Sequence, residues 1–405
     1  MDVRKNHIVL ITLILFCTIA NSQSNIPQNN SQLLTKKSVF IAGSEIVLSF
    51  KIKNEKLPFV FISSSYGETL VKGVLKNAIY TVKLPNEIAI KRGVVLWKLL
   101  MEDSSLEGEI RIKSKSEVAK MEAYLGPPSI EAGDRDYSMI VSIPTDSLDN
   151  PLADSTKVQI KHQFLNSRQI KEVFTNFMIA YQNIYSPRKA GKIITSTESK
   201  GINSKEFEIN VMPAIPENFK IFFRRNHNYA DGNQITTFYT DQILDAYNNI
   251  VSDGTLVEFI ITTKEKNLLK ANGITVGGIA RAQIVHPERQ SNWSVFAYVN
   301  GMAKSNSIAL SFQPALKDFN VVFSKENRTI TVGPLQSFLG QFIADGFRVH
   351  LKALKNEKIA YSETKTSLNG YITFYINPSA LASGTYEFNI ISGDIEKKIA
   401  SKVVK

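Results

Sequence analysis

Two stretches of the chain carry dense sets of oxygen-bearing side chains. "DSLDNPLADSTKV" occupies 146–158 and "DAYNNIVSDGTLV" occupies 245–257. Carboxylates and amides at such spacing suit a hard cation, and Asp146, Asp149, Asp154, Asp245 and Asp253 are the candidate calcium ligands. Calcium takes six to eight oxygens, and Asp146, Asp149, Asn150 and Asp154 offer only four such side chains. The same residues also make turns, because Asn and Asp tolerate left-handed backbone angles and bond their own main chain two residues on. A third copy, "SFLGQFIADGFRV" at 337–349, decides between the two. It has Ser337 in place of Asp245 and Gly340 in place of Asn248, losing oxygen ligands while keeping turn-formers. The reading is therefore a strand–turn–strand hinge, with calcium binding as the alternative.

Other chemistry leaves little trace. There is no H-E-x-x-H, no His pair at i, i+4, no G-x-S-x-G elbow and no phosphate-binding glycine loop. The five histidines are scattered. His162 falls in phase with Val158, Ile160 and Phe164 as a half-buried sheet residue, His350 lies on a wet face, and His227 and His286 fall in turns. Trp97 and Trp293 alternate with apolar residues and read as core. No cofactor is indicated and the chain is not read as an enzyme.

The start of the chain bears on compartment. "MDVRK", the apolar run "HIVLITLILFCTIA" and the small residues Ala20 and Ser22 make a secretory signal peptide over 1–22. Cys17, the single cysteine, follows Leu15 and Phe16 instead of the small residues a lipidation signal requires. The mature chain then has no thiol and no disulfide, and folds on apolar burial alone. Its net charge falls from +11 to +10 on loss of Asp2, Arg4 and Lys5. Lys and Arg are spread along the strands, which argues against nucleic acid. No later stretch is long and apolar enough for a transmembrane helix. The protein is expected to be exported, at the cell surface or facing the periplasm at the outer membrane, with protein or surface-glycan partners at the envelope.

The elements that position these residues are strands. "EIVLSFKI", "YSMIVSI", "KVQIKHQF", "TLVEFII", "WSVFAYV" and "FRVHLKA" alternate with period two. The first would bury Ile46, Leu48, Phe50 and Ile52, the second Tyr137, Met139, Val141 and Ile143. One stretch, "QIKEVFTNFMIAY", places Ile170, Val173, Phe174 and Phe177 on a helical face, although "FTNFMIAYQNI" also passes as a strand. The hinge recurs at Asp154, Asp253 and Asp345, at intervals of 99 (253 − 154) and 92 (345 − 253) residues. That is about the size of one Ig-like sandwich. The fold class is all-β, with tandem Ig-like β-sandwich domains. A flexible leader over 23–36 precedes domains at 37–122, 123–214, 215–315 and 316–405, with Pro-containing seams.

The third unit carries a family resemblance. "DAYNNIVSDGTLVEF", "NGITVGGIARAQIV", "WSVFAYVNG" and "SNSIALSF" resemble the bacterial Ig-like domain of the invasin/intimin type. The match is good over about 230–313, and partial over 126–212 and 316–405. Asn248 stands where that pattern has Gly. The resemblance implies a stalk or display module at a bacterial surface, without a catalytic site. "NPSALASGTYEFNIISGDIEKKIASKVVK" is similar to the last strands of the C-terminal sorting domain of Bacteroidetes type IX secretion, whose opening motif is missing here. The expected function is a non-catalytic cell-surface adhesion or scaffold module. The alternative is an accessory subunit of an envelope secretion or gliding machine that binds outer-membrane partners.

Overall fold

The computed structural model describes residues 31–52, 57–101, 105–337 and 339–405. The signal peptide and most of the leader lie outside the described residues. The alternating apolar positions collect into four separate cores. Phe50, Leu99 and Ile112 lie in the first, Ile140, Val158 and Ile209 in the second. Phe238, Phe259 and Phe312 fill the third, and Phe374, Phe388 and Ile390 the fourth. Each core lies between two sheets of largely antiparallel strands, so the chain is a series of Ig-like β-sandwiches.

Strand order repeats from one sandwich to the next. In the second, Lys120–Gly126, Tyr137–Thr145 and Ala180–Tyr185 form one sheet. The other runs in the order Ser129–Glu131, Phe207–Met212, Gly191–Ser199, Lys157–Phe164, Ser167–Phe174. The third keeps this order and joins its two sheets through the long strand Leu268–Val276. In the fourth, Val321–Phe323, Thr329–Val332 and Ile372–Tyr375 face Lys358–Thr366, Arg348–Lys355, Gly384–Ser392 and Ile395–Val404. The first three sandwiches also close one edge with a short parallel pairing. These are Val39–Ile41 on Ser105–Lys113, Ser129–Glu131 on Phe207–Met212, and Tyr229–Ala230 on Ile308–Pro314.

Several faces are as expected. Ile46, Leu48, Phe50 and Ile52 are all buried, as are Trp97 and Trp293, the latter with Val295, Ala297 and Val299. Two expectations need correction. The stretch with helical spacing runs through the strand Ser167–Phe174, paired along its length with Lys157–Phe164, then a turn, and into the strand Ala180–Tyr185. Leu165, at φ +51°, turns the hairpin, and the cross-strand ladder satisfies backbone groups that a helix would have paired internally. Ile170, Phe174 and Phe177 are consequently exposed, Phe177 at 79%. In Tyr137–Thr145 the inward face is Ser138, Ile140, Ser142 and Pro144, not Tyr137, Met139, Val141 and Ile143. The buried hydroxyls have partners there: Ser138 donates to the Pro127 carbonyl at 2.6 Å, and Ser142 pairs with Thr197 at 3.0 Å. Outside, Tyr137 and Tyr185 rings lie 5.5 Å apart.

Among the described residues, no helix is long and apolar enough to cross a membrane.

Candidate functional site

The acidic hinge separates into two parts with different jobs. At its downstream end, Asp154, Asp253 and Asp345 each accept a backbone N–H from a residue 24 positions later. The donors are Met178, Gly277 and Asn369, all at 2.7 Å. Buried hydroxyls add to the same turn. Thr175 and Thr275 accept the N–H of Thr156 and Thr255, and Ser367 accepts that of Phe347. The three aspartates are thus at equivalent places, each tying the bend into its new strand to the following hairpin.

The upstream end reaches the preceding sandwich. Asp245 is buried and accepts the N–H groups of Tyr247 and Asn249 on Oδ1, both at 2.8 Å. Its Oδ2 accepts the Ala214 N–H and the Asn249 side-chain amide, each at 2.8 Å. Asn249, held this way, donates to the Arg188 carbonyl at 2.7 Å and accepts the Ala190 N–H at 2.8 Å. Asp146 and Asn150 do the same one sandwich earlier. Asp146 accepts from Leu148, Asn150 and Lys115 N–H groups at 2.8, 3.0 and 2.9 Å. Asn150 donates to the Ile90 carbonyl and accepts the Arg92 N–H, both at 2.8 Å. Arg92 adds hydrogen bonds to the Pro151 and Leu152 carbonyls. Each Asp–Asn pair is a bracket that fastens one sandwich to the main chain of the one before.

Apolar contacts accompany each bracket. Leu148 packs against the first core, so close to Gly43 that a Cβ there would sit 2.9 Å from its Cδ1. Tyr247, two residues after Asp245 as Leu148 is after Asp146, lies the same way over Gly133, where a Cβ would meet its ring at 3.2 Å. Both glycines also have positive φ, +80° and +134°, so backbone strain and crowding both disfavour a side chain. The Arg188 guanidinium lies 5.9 Å from the Tyr247 ring centre.

These partners account for the candidate calcium ligands. The Asp146 and Asp245 carboxylates are occupied by N–H donors, and Asp154 and Asp253 cap hairpins. Asp149 and its counterpart Asn248 occupy the turn with φ +58° and +62°. Burial pushes the Asp146 and Asp245 carboxyls up, but the hydrogen bonds from Asn150, Lys115 and Leu148, and from Asn249, Ala214 and Tyr247, outweigh it. Both titrate below the ordinary carboxylate value.

The third junction is built differently. Ser337 and Gln341 stand in the bracket positions. The loop keeps its main-chain form, with Ser337 N–H on the Gln341 carbonyl and Gly340 N–H on the Ser337 carbonyl, both at 2.9 Å. Leu339, in the place of Tyr247, is 69% exposed. Another loop of the fourth sandwich takes over: Asp394 accepts the Gln290 N–H at 2.8 Å, and Arg348 pairs with Glu288 at 2.8 Å.

The group of metal-ligating side chains that does converge among the described residues was not visible as a motif. His227, Asp231 and His286 offer ligand atoms that all lie within 4.8 Å of one another. Asp231 follows the short strand Tyr229–Ala230, and His286 follows Ile279–Val285. Burial pulls the His286 imidazole below its ordinary pKa, partly offset by its contact with the Tyr229 carbonyl. His162 is lowered by burial too, partly offset by a hydrogen bond with Gln169.

No protein-family model matches the sequence, and no curated protein matches it. Among the solved structures that the chain resembles are three bacterial proteins, and also the ICAM-5 ectodomain and domains of titin. The Escherichia coli adhesin FdeC is 11% identical, over 70% of this chain and 96% of its own, with a TM-score of 0.48. InvD of Yersinia pseudotuberculosis is 14% identical, over 70% and 98%, at 0.42. Invasin, described as a bacterial integrin-binding protein, is 13% identical, over 91% and 78%, at 0.46. With every TM-score below 0.5, these likenesses add nothing to what the sheet order itself establishes.

Proposed function

We propose that the mature chain is a non-catalytic, exported module of the cell surface that holds and displays contact faces at set separations for adhesion. The observation that carries this reading is the pair of Asp–Asn brackets. They spend buried, fully bonded polar side chains on orienting one sandwich against the next, which a loosely linked string of domains would not need. The four sandwiches act as four units. The limits proposed for them are near 115–116, 214 and 315; the first differs from 122–123, and the pairing of Lys120–Gly126 with Tyr137–Thr145 and the packing of Val118 in the second core support it.

Contact with a partner runs through the exposed apolar side chains of the second sandwich, Ile170, Phe174, Phe177 and Tyr181. Large apolar side chains left exposed in this way are the candidates for an interaction site. The test compares binding of the mature chain to external cells and matrix with its recovery from the producing bacterium's own envelope. Saturable binding outside, lost when Phe174 and Phe177 are both changed to Ser, supports adhesion. Stoichiometric recovery with outer-membrane proteins and no external binding overturns it in favour of a subunit of an envelope machine.

A further inference from the structure

The cluster of His227, Asp231 and His286 arises where the third sandwich departs from its neighbours. Gly133 N–H bonds the Pro187 carbonyl at 3.2 Å, and Gly232 N–H bonds the Pro287 carbonyl at 3.1 Å, so these loops correspond. The residue before each glycine is Ala132 in the second sandwich and Asp231 in the third. The residue before each proline is Ser186 and His286 respectively. Two small side chains have become a carboxylate and an imidazole in contact, next to the junction that lacks an Asp–Asn bracket. Tyr229, between His227 and Asp231, packs against the fourth core.

The protonation pattern at His286 suits a metal. Its side chain is 0% exposed. Nδ1 lies 2.9 Å from the Tyr229 carbonyl oxygen, which only accepts, so Nδ1 carries the proton. Nε2 is left as a buried lone pair without a hydrogen-bond partner, which native interiors rarely tolerate. An imidazole whose Nδ1–H is tied to a backbone carbonyl is the form that ligates metals. Asp231 Oδ1 is engaged by the Asn233 and Gln234 N–H groups at 3.2 and 3.1 Å. Its Oδ2 lies 3.5 Å from His227 Nε2, and Oδ1 lies 3.7 Å from His286 Nδ1. Ligands around a tetrahedral zinc are about 3.3 Å apart, so the Asp231–His227 spacing is close to what an ion requires, while the second distance is measured from the protonated nitrogen and His286 must turn or shift to bring Nε2 onto the same ion. His227 is the adjustable member: it is a third exposed, and its Nδ1 accepts only a long 3.2 Å bond from the Tyr229 N–H. Coordination through its Nε2 moves the ring proton to Nδ1 and gives up that bond.

We propose that His227, Asp231 and His286 bind one divalent transition-metal ion of the zinc class, at the end of the third sandwich that meets the fourth. Two imidazoles and a carboxylate select zinc, nickel or copper over calcium or magnesium. The ion neutralises Asp231 and fixes the loop carrying Glu288 and Gln290, whose partners are Arg348 and Asp394 of the fourth sandwich.

The test uses the untagged mature chain in equilibrium dialysis against micromolar zinc, followed by elemental analysis, with cobalt as a spectroscopic probe. The expected result is about one zinc per chain and visible cobalt absorption of a tetrahedral site. H286Q and H227A should each weaken binding at least tenfold, and H350A should leave it unchanged. H227A keeps the test decisive if H286Q does not fold, because His227 lies at the surface. Substoichiometric zinc, binding that survives both substitutions, or equal weakening by H350A would overturn the proposal. None of these outcomes bears on adhesion, which is tested separately.

Discussion

Where the second sandwich meets the third, Asn249 bonds both the carbonyl of Arg188 and the N–H of Ala190, and Asp245 holds it from behind. Where the third meets the fourth, the corresponding residues are Ser337 and Gln341, and the link passes to an exposed ion pair and one bond to Asp394. The main-chain turn is alike at both places. The difference shows that the turn and the bracket are separable: Gly340 and Asp345 are enough to bend the chain, but a buried Asp–Asn pair is needed to fix the neighbour. The first two junctions should therefore be stiff and the third compliant.

Removing the centre of a bracket gives the largest expected effect. D245A strands the Ala214, Tyr247 and Asn249 N–H groups and the Asn249 amide, and should destabilise the third sandwich by about 3 kcal/mol or more in calorimetry. N249A leaves the charge in place but orphans the Arg188 carbonyl and Ala190 N–H. A loss of about 2 kcal/mol is expected, with a broader range of angles between the second and third sandwiches in small-angle scattering. Equal breadth in wild type and N249A would remove the contrast between the junctions.

Acid should act through the same pairs. Both carboxyls titrate below the ordinary value of 3.8. A depressed carboxyl contributes stability that is fully present above the unfolded value and is lost as pH falls below it. Melting temperature should hold from pH 7 to about pH 5 and decline below about pH 4, and D245N should flatten that decline. At the third junction, E288Q removes an exposed ion pair and should cost less than about 1 kcal/mol. The smallest expected effect is that of calcium: adding calcium should leave the melting temperature unchanged, since the hinge aspartates are bound to N–H groups. A calcium-dependent rise would return Asp146, Asp149 and Asp154 to the role of ligands.

Much of the framework was legible from residue patterns. Period-two alternation marked the strands, and the recurring Asp marked one bend three times, because both signals are local. What escaped was set by partners outside each stretch. The inward face of Tyr137–Thr145 is decided by Pro127, whose carbonyl accepts the Ser138 hydroxyl, and Thr197, whose hydroxyl pairs with that of Ser142. The segment with helical spacing became a strand because Lys157–Phe164 offered a ladder. Asn150 and Asn249 bond peptide groups some sixty positions earlier, and peptide groups leave no mark in composition. His286 and Asp231 meet only because two loops share one end of a sandwich.

The brackets grip nothing but peptide groups on the preceding sandwich, with a bare glycine, Gly43 or Gly133, as the surface beside them. Such a coupling draws on few of its predecessor's side chains, Arg92 at the first junction and Arg188 at the second. A unit bearing the Asp–Asn pair can follow any sandwich that presents that glycine and an open main-chain edge, so copies can be gained, lost or reshuffled while their surfaces diverge freely.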